Sequence, residues 1–338
     1  MRDRPAKLTD VELTAALAEG WAIETRSVAY LPVGFGSYHW RAVEPGGRPW
    51  FVKVDDLGVR EAARDETFDR LARAFGTTLA LREDAGLDFV VAPVRTRAGA
   101  TVSRLSSRYA LSVFPLLDGS TGQFGPHRPD DRAEVVDLLA ELHRATPIVA
   151  ETAPRADLTL PGRDRLDEAL RGLDQEWTGG PYAEPTRALL AVHGGHVERL
   201  LADFDRLVEQ VRAGAADWVV THGEPHPGNL LRTSAGVRLI DWETVLIAPA
   251  ERDLWMCTDA FARLVGEEPA GDTDETLARY HRDTGRLLTP AGLDLYALWW
   301  KLADIAAYVD ELRRPHGRGE DITASFGYLT GYLETGSD

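Results

Sequence analysis

The chain is short of cysteine, lysine and long apolar runs, and each shortage excludes something. Its one cysteine, Cys257, rules out an internal disulfide framework and any multi-cysteine zinc site. No uncharged apolar stretch approaches the roughly 18 residues that span a bilayer. The opening MRDRPAKLTDVELTAALAEG has no apolar signal core and reads as an amphipathic helix begun by a Thr9–Glu12 capping box. A cytoplasmic protein with no membrane partner is therefore expected. GxxxxGK(S/T) is absent, which excludes a P-loop, and neither HExxH nor GxSxG occurs. No GxGxxG follows a strand, so a dinucleotide-binding fold has no support. No solenoid-length repeat or low-complexity tract is present.

What remains is 338 residues and 37.2 kDa, enough for two ordinary domains or one large bilobal one. The net charge of −16 argues against a nucleic-acid partner. Its distribution is uneven: residues 1–117 hold 16 basic and 15 acidic side chains, so the rest of the chain carries a net −17. That excess either attracts a cationic small molecule or simply solvates a helical surface. Only three of the 38 basic residues are lysines (Lys7, Lys53, Lys301). In a chain that so prefers arginine, Lys53 inside the apolar strand WFVKV calls for a specific reason.

After the first helix, SVAYLPVGFGSYHWRAV and PWFVKVDD read as strands joined by a turn at Pro45, Gly46 and Gly47. Val59 to Leu87 is helix-like with a break at Gly76, and FVVAPV and YALSVFPLL return to strand character. The polar stretch DGSTGQFG marks a hinge around Pro115–Gly119. Beyond it the pattern is helical: Val135, Leu138, Leu139 and Leu142 share one face, residues 163–176 and 194–213 continue the habit with EWTGGPYAEP as a loop between them, and DLYALWWKLADIAAYVDELRR adds another helix. One region breaks the pattern. WVVTHGEPHPGNLLRTSAGVRLIDWETV reads as a strand, a polar loop and a hairpin, and polar loops between apolar strands are where function concentrates.

In HGEPHPGN, Glu224 and Asn229 stand five apart, and Asp241 follows 12 residues later at the end of the hairpin. A carboxylate, an amide and a second carboxylate on neighbouring strand ends can surround a magnesium–triphosphate, because magnesium takes a few hard oxygens from protein and the rest from phosphate and water. Asn229 and Asp241 suit the metal, Glu224 the acceptor hydroxyl, and Lys53 the phosphate oxygens. His222 and His226 lie four apart with an acid between them, but Pro225, Pro227 and the adjoining glycines forbid the helix a zinc pair needs. His222 is expected beneath the loop, and His226 either there or against a substrate. His143 reads as structural, and Tyr296, Trp299 and Trp300, on the apolar face of a helix, read as core rather than as a sugar-stacking platform.

These segments resemble the aminoglycoside phosphotransferase and choline kinase-like family, whose HGDxHxxN and IDW or IDF elements stand here as HGEPHPGN and LIDWE. The resemblance implies an α+β, bilobal protein kinase-like fold: a small antiparallel-sheet lobe over residues 1–117 that binds nucleotide, and a larger, mainly helical lobe over 118–338 with the catalytic loop and acceptor pocket. It implies ATP or GTP with Mg2+, the metal on Asn229 and Asp241. The nucleotide is expected along the turn of Gly34, Gly36 and Ser37, against Lys53, with its base on the hinge at Phe114, Leu116 and Leu117. Asp253 in ERDLW resembles the family's aspartate that ties down the catalytic loop. Two positions depart from the family. The base position holds Glu224 rather than aspartate, lengthening the side chain by ~1.5 Å. The acid that pairs with Lys53 from the inserted helix is Glu66 or Glu83, with Glu83 preferred. His226, Glu243 and Glu251 are candidates for the acceptor, with Asp304 and Asp310 weaker ones. The activity implied is O-phosphorylation of a small, cationic hydroxylated compound, an aminoglycoside-type or related antibiotic. The alternatives are a kinase of choline, an amino sugar, homoserine or methylthioribose, or a nucleotide-binding pseudokinase. A protein kinase is disfavoured because no long activation segment ending in APE follows LIDWE. A monomer is the default.

Overall fold

The computed structural model describes residues 4–5, 8–34, 36–58, 61–269 and 271–334. Val59, where the second helix was expected to begin, and Phe35 of the glycine turn lie outside them. The chain divides into two compact units: Met1–Arg155 with Trp218–Asp259 and Ala270–Arg286, and Ala156–Asp217 with Ala260–Pro269 and Leu287–Asp338.

In the first unit, helix α1 (Asp10–Trp21) is started by the Thr9–Glu12 capping box, both halves of which form. It buries Leu13, Leu17 and Trp21, spaced four apart on one face. Strands β1 (Ser27–Leu31), β2 (Ser37–Val43) and β3 (Pro49–Asp56), helix α2 (Arg64–Glu83), and strands β4 (Ser103–Arg104) and β5 (Tyr109–Pro115) follow. The five strands form one antiparallel sheet in the order β1-β2-β3-β5-β4, so β3 is central, with Lys53 opposite His39 on one side and Ser112 on the other.

Alternation along the strands decides what each face does. Val52, Val54, Leu111 and Val113 join Leu13, Leu17 and Trp40 in one core. Ala110 and Phe114 point the other way, into a second core with Leu71 and Phe75 of α2, against which Phe51 packs. Lys53, one residue from Val52 and two from Phe51, belongs to this second face.

The unit continues through β6 (Ser120–Thr121), α3 (Pro129–Arg144) and α4 (Thr146–Val149) and resumes at β7 (Val219–Thr221), β8 (Leu230–Thr233), β9 (Gly236–Leu239), β10 (Leu246–Ala248) and α7 (Glu251–Leu254); α9 (Thr273–Thr284) also belongs to it. A three-stranded sheet β6-β8-β9 carries the hairpin, and β10 pairs with β7. The second unit is helical: α5 (Arg163–Arg171), α6 (Ala183–Arg212), α10 (Pro290–Arg313) and α11 (Glu320–Glu334), with α10 packed on the other three. The short helix α8 (Asp259–Leu264) lies where the chain passes between the units. The protein is thus α+β, a small antiparallel sheet in its N-terminal part followed by a mainly helical remainder.

Three local expectations are corrected. FVVAPV is not a strand of the sheet: Pro93 lacks an N–H, and the segment divides its hydrogen bonds between β9 (Leu239 N to Phe89 O, 2.7 Å) and β5 (Val94 N to Val113 O, 2.7 Å). Helix α2 runs through Gly76 unbroken, because Leu71, Phe75, Leu79 and Leu81 are buried on both sides of it and outweigh the ~1 kcal/mol that glycine costs a helix. Helix α6 begins at Ala183, inside the expected EWTGGPYAEP loop and 11 residues before 194, since Pro185 is tolerated in a first turn.

Candidate active site

Lys53 is 3% exposed, and burial alone would strip its charge. Three carboxylates oppose that. Its Nζ lies 2.7 Å from Asp241 Oδ1, 2.6 Å from Glu243 Oε1 and 3.9 Å from Asp55 Oδ1. Their combined charge overcomes burial and holds the lysine pKa well above its usual value. Burial likewise favours the protonated form of Asp241, but the Lys53 charge and the hydrogen bonds from Glu243 and Lys53 win, and its pKa falls well below the carboxylate range. Glu243 goes the other way: burial raises its pKa, Lys53 only partly offsets this, and the Asp241 charge raises it further. The pair therefore divides its roles, with Asp241 anionic and Glu243 holding a proton more readily.

The loop between β7 and β8 is fixed from below. Asp253, fully buried, accepts from the backbone N–H groups of His222 (2.9 Å) and Gly223 (2.5 Å), and its Oδ2 also meets His143 Nε2 at 3.0 Å. His222 fills the space underneath, its Nε2 2.9 Å from Ile240 O and its Nδ1 accepting from Glu224 N at 3.2 Å. Gly223 sits at φ +99°, and a Cβ there would strike the Arg252 guanidinium, which itself donates to Thr221 Oγ1 and Thr244 O at 2.8 Å each. His127 holds the loop from α3's approach, its Nε2 2.7 Å from Pro225 O. None of Arg252, His127 or Asp55 carries a sequence signal of its own.

Asn229 donates its Nδ2 to Glu224 O at 2.9 Å, which ties its side chain to the Glu224 backbone and leaves its Oδ1, an acceptor, free of that bond. Its backbone oxygen accepts from Ile240 N at 3.0 Å, which brings it beside the start of LIDWE. Asp241 adopts the left-handed conformation (φ 70°), unusual for a residue other than glycine. An amide oxygen and an anionic carboxylate, with the one Glu243 oxygen (Oε2) that is buried and has no hydrogen-bond partner among the described residues beside them, are hard donors that fit Mg2+.

These groups open on one cleft of about 340 Å3, lined on the sheet side by Gly34, His39, Phe51 and Lys53 and on the hairpin side by Asn229, Ile240, Asp241 and Glu243. Phe114, Leu116 and Leu117 line it too. Gly34 lies at φ +71°, and a Cβ there would come within 3.0 Å of the His39 ring, which stacks on Phe51.

Other expected residues lie elsewhere. Ser37 is buried and donates to Asp55 Oδ1 at 2.6 Å rather than lining the cleft, and Gly36 is exposed at the turn. The Lys53–Glu83 pair does not form. Glu83 is at the last residue of the continuous α2, pairs with Arg95 at 2.8 Å and is half exposed. Glu66 is in the first turn of the same helix, and the carboxylate partners of Lys53 come instead from β3 and LIDWE. Glu243, expected at the acceptor, is one of those partners. The i, i+2 spacing from Asp241 was the signal that could have found it. His226 is packed edge-on against Phe124 (4.9 Å between centroids) and accepts from Gly228 N. Glu251 is buried in the first turn of α7. Glu224 is half buried on the loop.

A sheet-borne lysine paired to an aspartate that follows a hairpin, with an asparagine-bearing loop beside it, defines a kinase-like phosphotransferase. Residues 27–310 match the phosphotransferase enzyme family, and the chain belongs to that family and is a phosphotransferase. Protein StrN of Streptomyces griseus is 28% identical over 298 residues, covering 85% of this chain and 84% of that protein. Among solved structures, a spectinomycin phosphotransferase in complex with ADP and spectinomycin superposes with a TM-score of 0.72 at 15% identity, covering 96% of this chain and 94% of that one. A microcompartment-associated aminopropanol kinase gives 0.61 at 16% (96% and 95% covered). An amicoumacin kinase in complex with AMP-PNP and Ca2+ gives 0.58 at 11% (98% and 95%). At these identities the structures establish the fold.

Asp253→Ala leaves two loop N–H groups and His143 without their acceptor, so it should destabilise the protein by about 2–4 kcal/mol and lower phosphotransfer, measured by denaturant unfolding and turnover. Burial also pushes the His127 pKa down to about 4, against about 6.5 when unfolded. The unfolded chain then binds the extra proton, so this contribution is intact above about pH 6.5 and declines as pH falls towards 4, by on the order of 3 kcal/mol. His127→Gln should flatten the pH dependence of the melting temperature across that window. An unchanged slope removes His127 as its source.

Proposed function

We propose that the protein is an O-phosphotransferase that uses ATP or GTP with Mg2+ to phosphorylate a hydroxyl of a small cationic molecule, an aminoglycoside-type or related antibiotic. The observation that carries this reading is the convergence of Lys53, Asn229 and Asp241 on one cleft beside the hinge. Residues 1–117 act as the nucleotide lobe and 118–338 as the lobe of the catalytic loop and acceptor. The ADP-bound spectinomycin phosphotransferase and the AMP-PNP-bound amicoumacin kinase support nucleotide use and an antibiotic acceptor. The aminopropanol kinase favours a second reading, a kinase of a small amino alcohol in metabolism.

In this mechanism the base of the nucleotide lies against Phe114, Leu116 and Leu117, with backbone groups of the hinge as its hydrogen-bond partners. The Lys53 ammonium exchanges its carboxylate partners, in part, for phosphate oxygens. Asn229 Oδ1 and Asp241 would hold magnesium, which supplies charge neutralisation on the transferring phosphoryl group. Glu224 accepts a hydrogen bond from the acceptor hydroxyl and takes its proton as the oxygen bonds to the terminal phosphorus and the bond to the bridging oxygen breaks. The longer glutamate reaches the hydroxyl because the loop beneath it is pinned by Asp253, His222 and His127.

Transfer of labelled terminal phosphate from ATP and GTP to a panel of aminoglycosides, other hydroxylated antibiotics and amino alcohols should give one acceptor class. Glu224→Ala should lower kcat about 100-fold or more with nucleotide affinity nearly unchanged. Equal turnover by the two proteins removes Glu224 from the mechanism. Asp241→Asn should abolish the magnesium dependence of nucleotide binding.

A further inference from the structure

Of the three carboxylates around Lys53, two stand across the cleft and one does not. Asp241 and Glu243 line its hairpin side and meet Lys53 from there. Asp55 is on β3 itself, two residues from Lys53 and therefore on the same face of the strand. It is 7% exposed and is not part of the described lining of the cleft. Its backbone is fixed on both sides, opposite Ser37 of β2 and Ala110 of β5, and its Oδ1 accepts from the Ser37 hydroxyl at 2.6 Å. Its Oδ2 is buried and, among the described residues, has no hydrogen-bond partner.

Lys53 Nζ stands 3.9 Å from Asp55 Oδ1, against 2.7 Å to Asp241 and 2.6 Å to Glu243. The Asp55 contact is thus an ion pair beyond hydrogen-bond distance, beside a buried acceptor that lacks a donor. Such acceptors are rare in folded proteins and mark strain or a use. Helix α2 offers no substitute: Asp65 pairs with Arg104, Glu83 pairs with Arg95 at 2.8 Å, and Glu66 is exposed in the first turn. Whatever enters the cleft stands between its two walls and competes for the ammonium with the hairpin-side pair. A phosphate replaces the charge of those carboxylates but not their grip, because the flexible lysine stem is then free to follow the ligand. A carboxylate on the same strand keeps its place relative to the lysine and holds it from behind.

We propose that Asp55 is the positioning residue of Lys53 in the nucleotide-bound protein: as Asp241 and Glu243 give up the ammonium, Lys53 Nζ closes onto the Asp55 carboxylate, which the Ser37 hydroxyl holds in place. Asp55 does from β3 what was expected of a glutamate on α2. Because Ser37 directly follows Gly36, the same bond links the lysine to the glycine turn. The inference rests on the phosphotransfer reading and names the residue that orients its lysine.

A crystal structure of the full chain with Mg2+ and AMP-PNP tests this without turnover. Lys53 Nζ is expected within about 3.2 Å of an Asp55 oxygen, with no acid of α2 beside it. In solution, Asp55→Asn keeps the shape and an acceptor for Ser37 but removes the charge. It should lower kcat for ADP formation from ATP, with water as the acceptor, about tenfold or more. The Kd of AMP-PNP by calorimetry should change less than about threefold, because losing an anion does not weaken the attraction for a polyanion. Glu66→Gln and Glu83→Gln should turn over like wild type. Nucleotide-bound Lys53 that stays beyond about 3.5 Å from Asp55 or pairs with an α2 acid would overturn the inference. So would Asp55→Asn that turns over like wild type, or that loses AMP-PNP affinity and melting temperature in step with turnover, which is the mark of a purely structural role. Lys53→Met separates the two levels. If it also turns over like wild type, or if AMP-PNP binds outside the cleft, the phosphotransfer reading falls and this inference with it; if Lys53→Met is slow and Asp55→Asn is not, only the role of Asp55 falls.

Discussion

The charge on Lys53 is the constraint on which the site depends. An ammonium in the middle of a central strand, with both neighbouring strands in register beside it, is almost wholly withdrawn from water at the wall of the cleft. It survives as a cation only because Asp241, Glu243 and Asp55 surround it. The same contacts set the carboxylates: Asp241 is kept anionic by the lysine, and the crowding of negative charge is relieved by Glu243 taking up its proton more easily. Removing Lys53 leaves the buried carboxylates without their counter-charge, which is why such clusters are costly to break. A polyanion entering the cleft finds a cation already positioned and already charged.

The loop that faces this cluster is held by a different device. Its backbone is gripped at successive residues by buried polar side chains, Asp253 on His222 and Gly223, His222 on Glu224, His127 on Pro225 and Asn229 on Glu224. Every one of these bonds orients main chain. The consequence is a polar segment with little freedom, in which the positions of Glu224 and Asn229 are coupled through one hydrogen bond. Positioning of this kind is what phosphoryl transfer most needs from a protein.

The parts of this arrangement that were legible in the sequence are those with a local signature. Lys53 stood out because lysine is scarce, Asn229 and Asp241 because a hairpin of defined length separates them, and Asp253 through ERDLW. The sheet and the helical remainder followed from alternation and four-residue spacing. What stayed hidden depends on long-range packing. Arg252 and His127 act on a loop far from them in the chain, and neither differs in its own neighbourhood from any other arginine or histidine. Glu243 reaches Lys53 past a left-handed Asp241, a conformation that residue type does not announce. Glu83 was preferred because its helix directly precedes FVVAPV, but the helix end carries it to Arg95, and FVVAPV was misread because its apolar run serves two partners rather than one sheet.

The claim at the centre is that the Lys53 ammonium meets the nucleotide's phosphates. With lysine side chains labelled with nitrogen-15, the Lys53 resonance is assigned by its loss in Lys53→Met and observed as ATP and paramagnetic Mn2+ are added. The account predicts that Mn2+ with ATP broadens the Lys53 signal strongly, since metal and ammonium bind the same triphosphate a few ångströms apart. A Lys53 signal that stays sharp and unshifted at saturating nucleotide would contradict it.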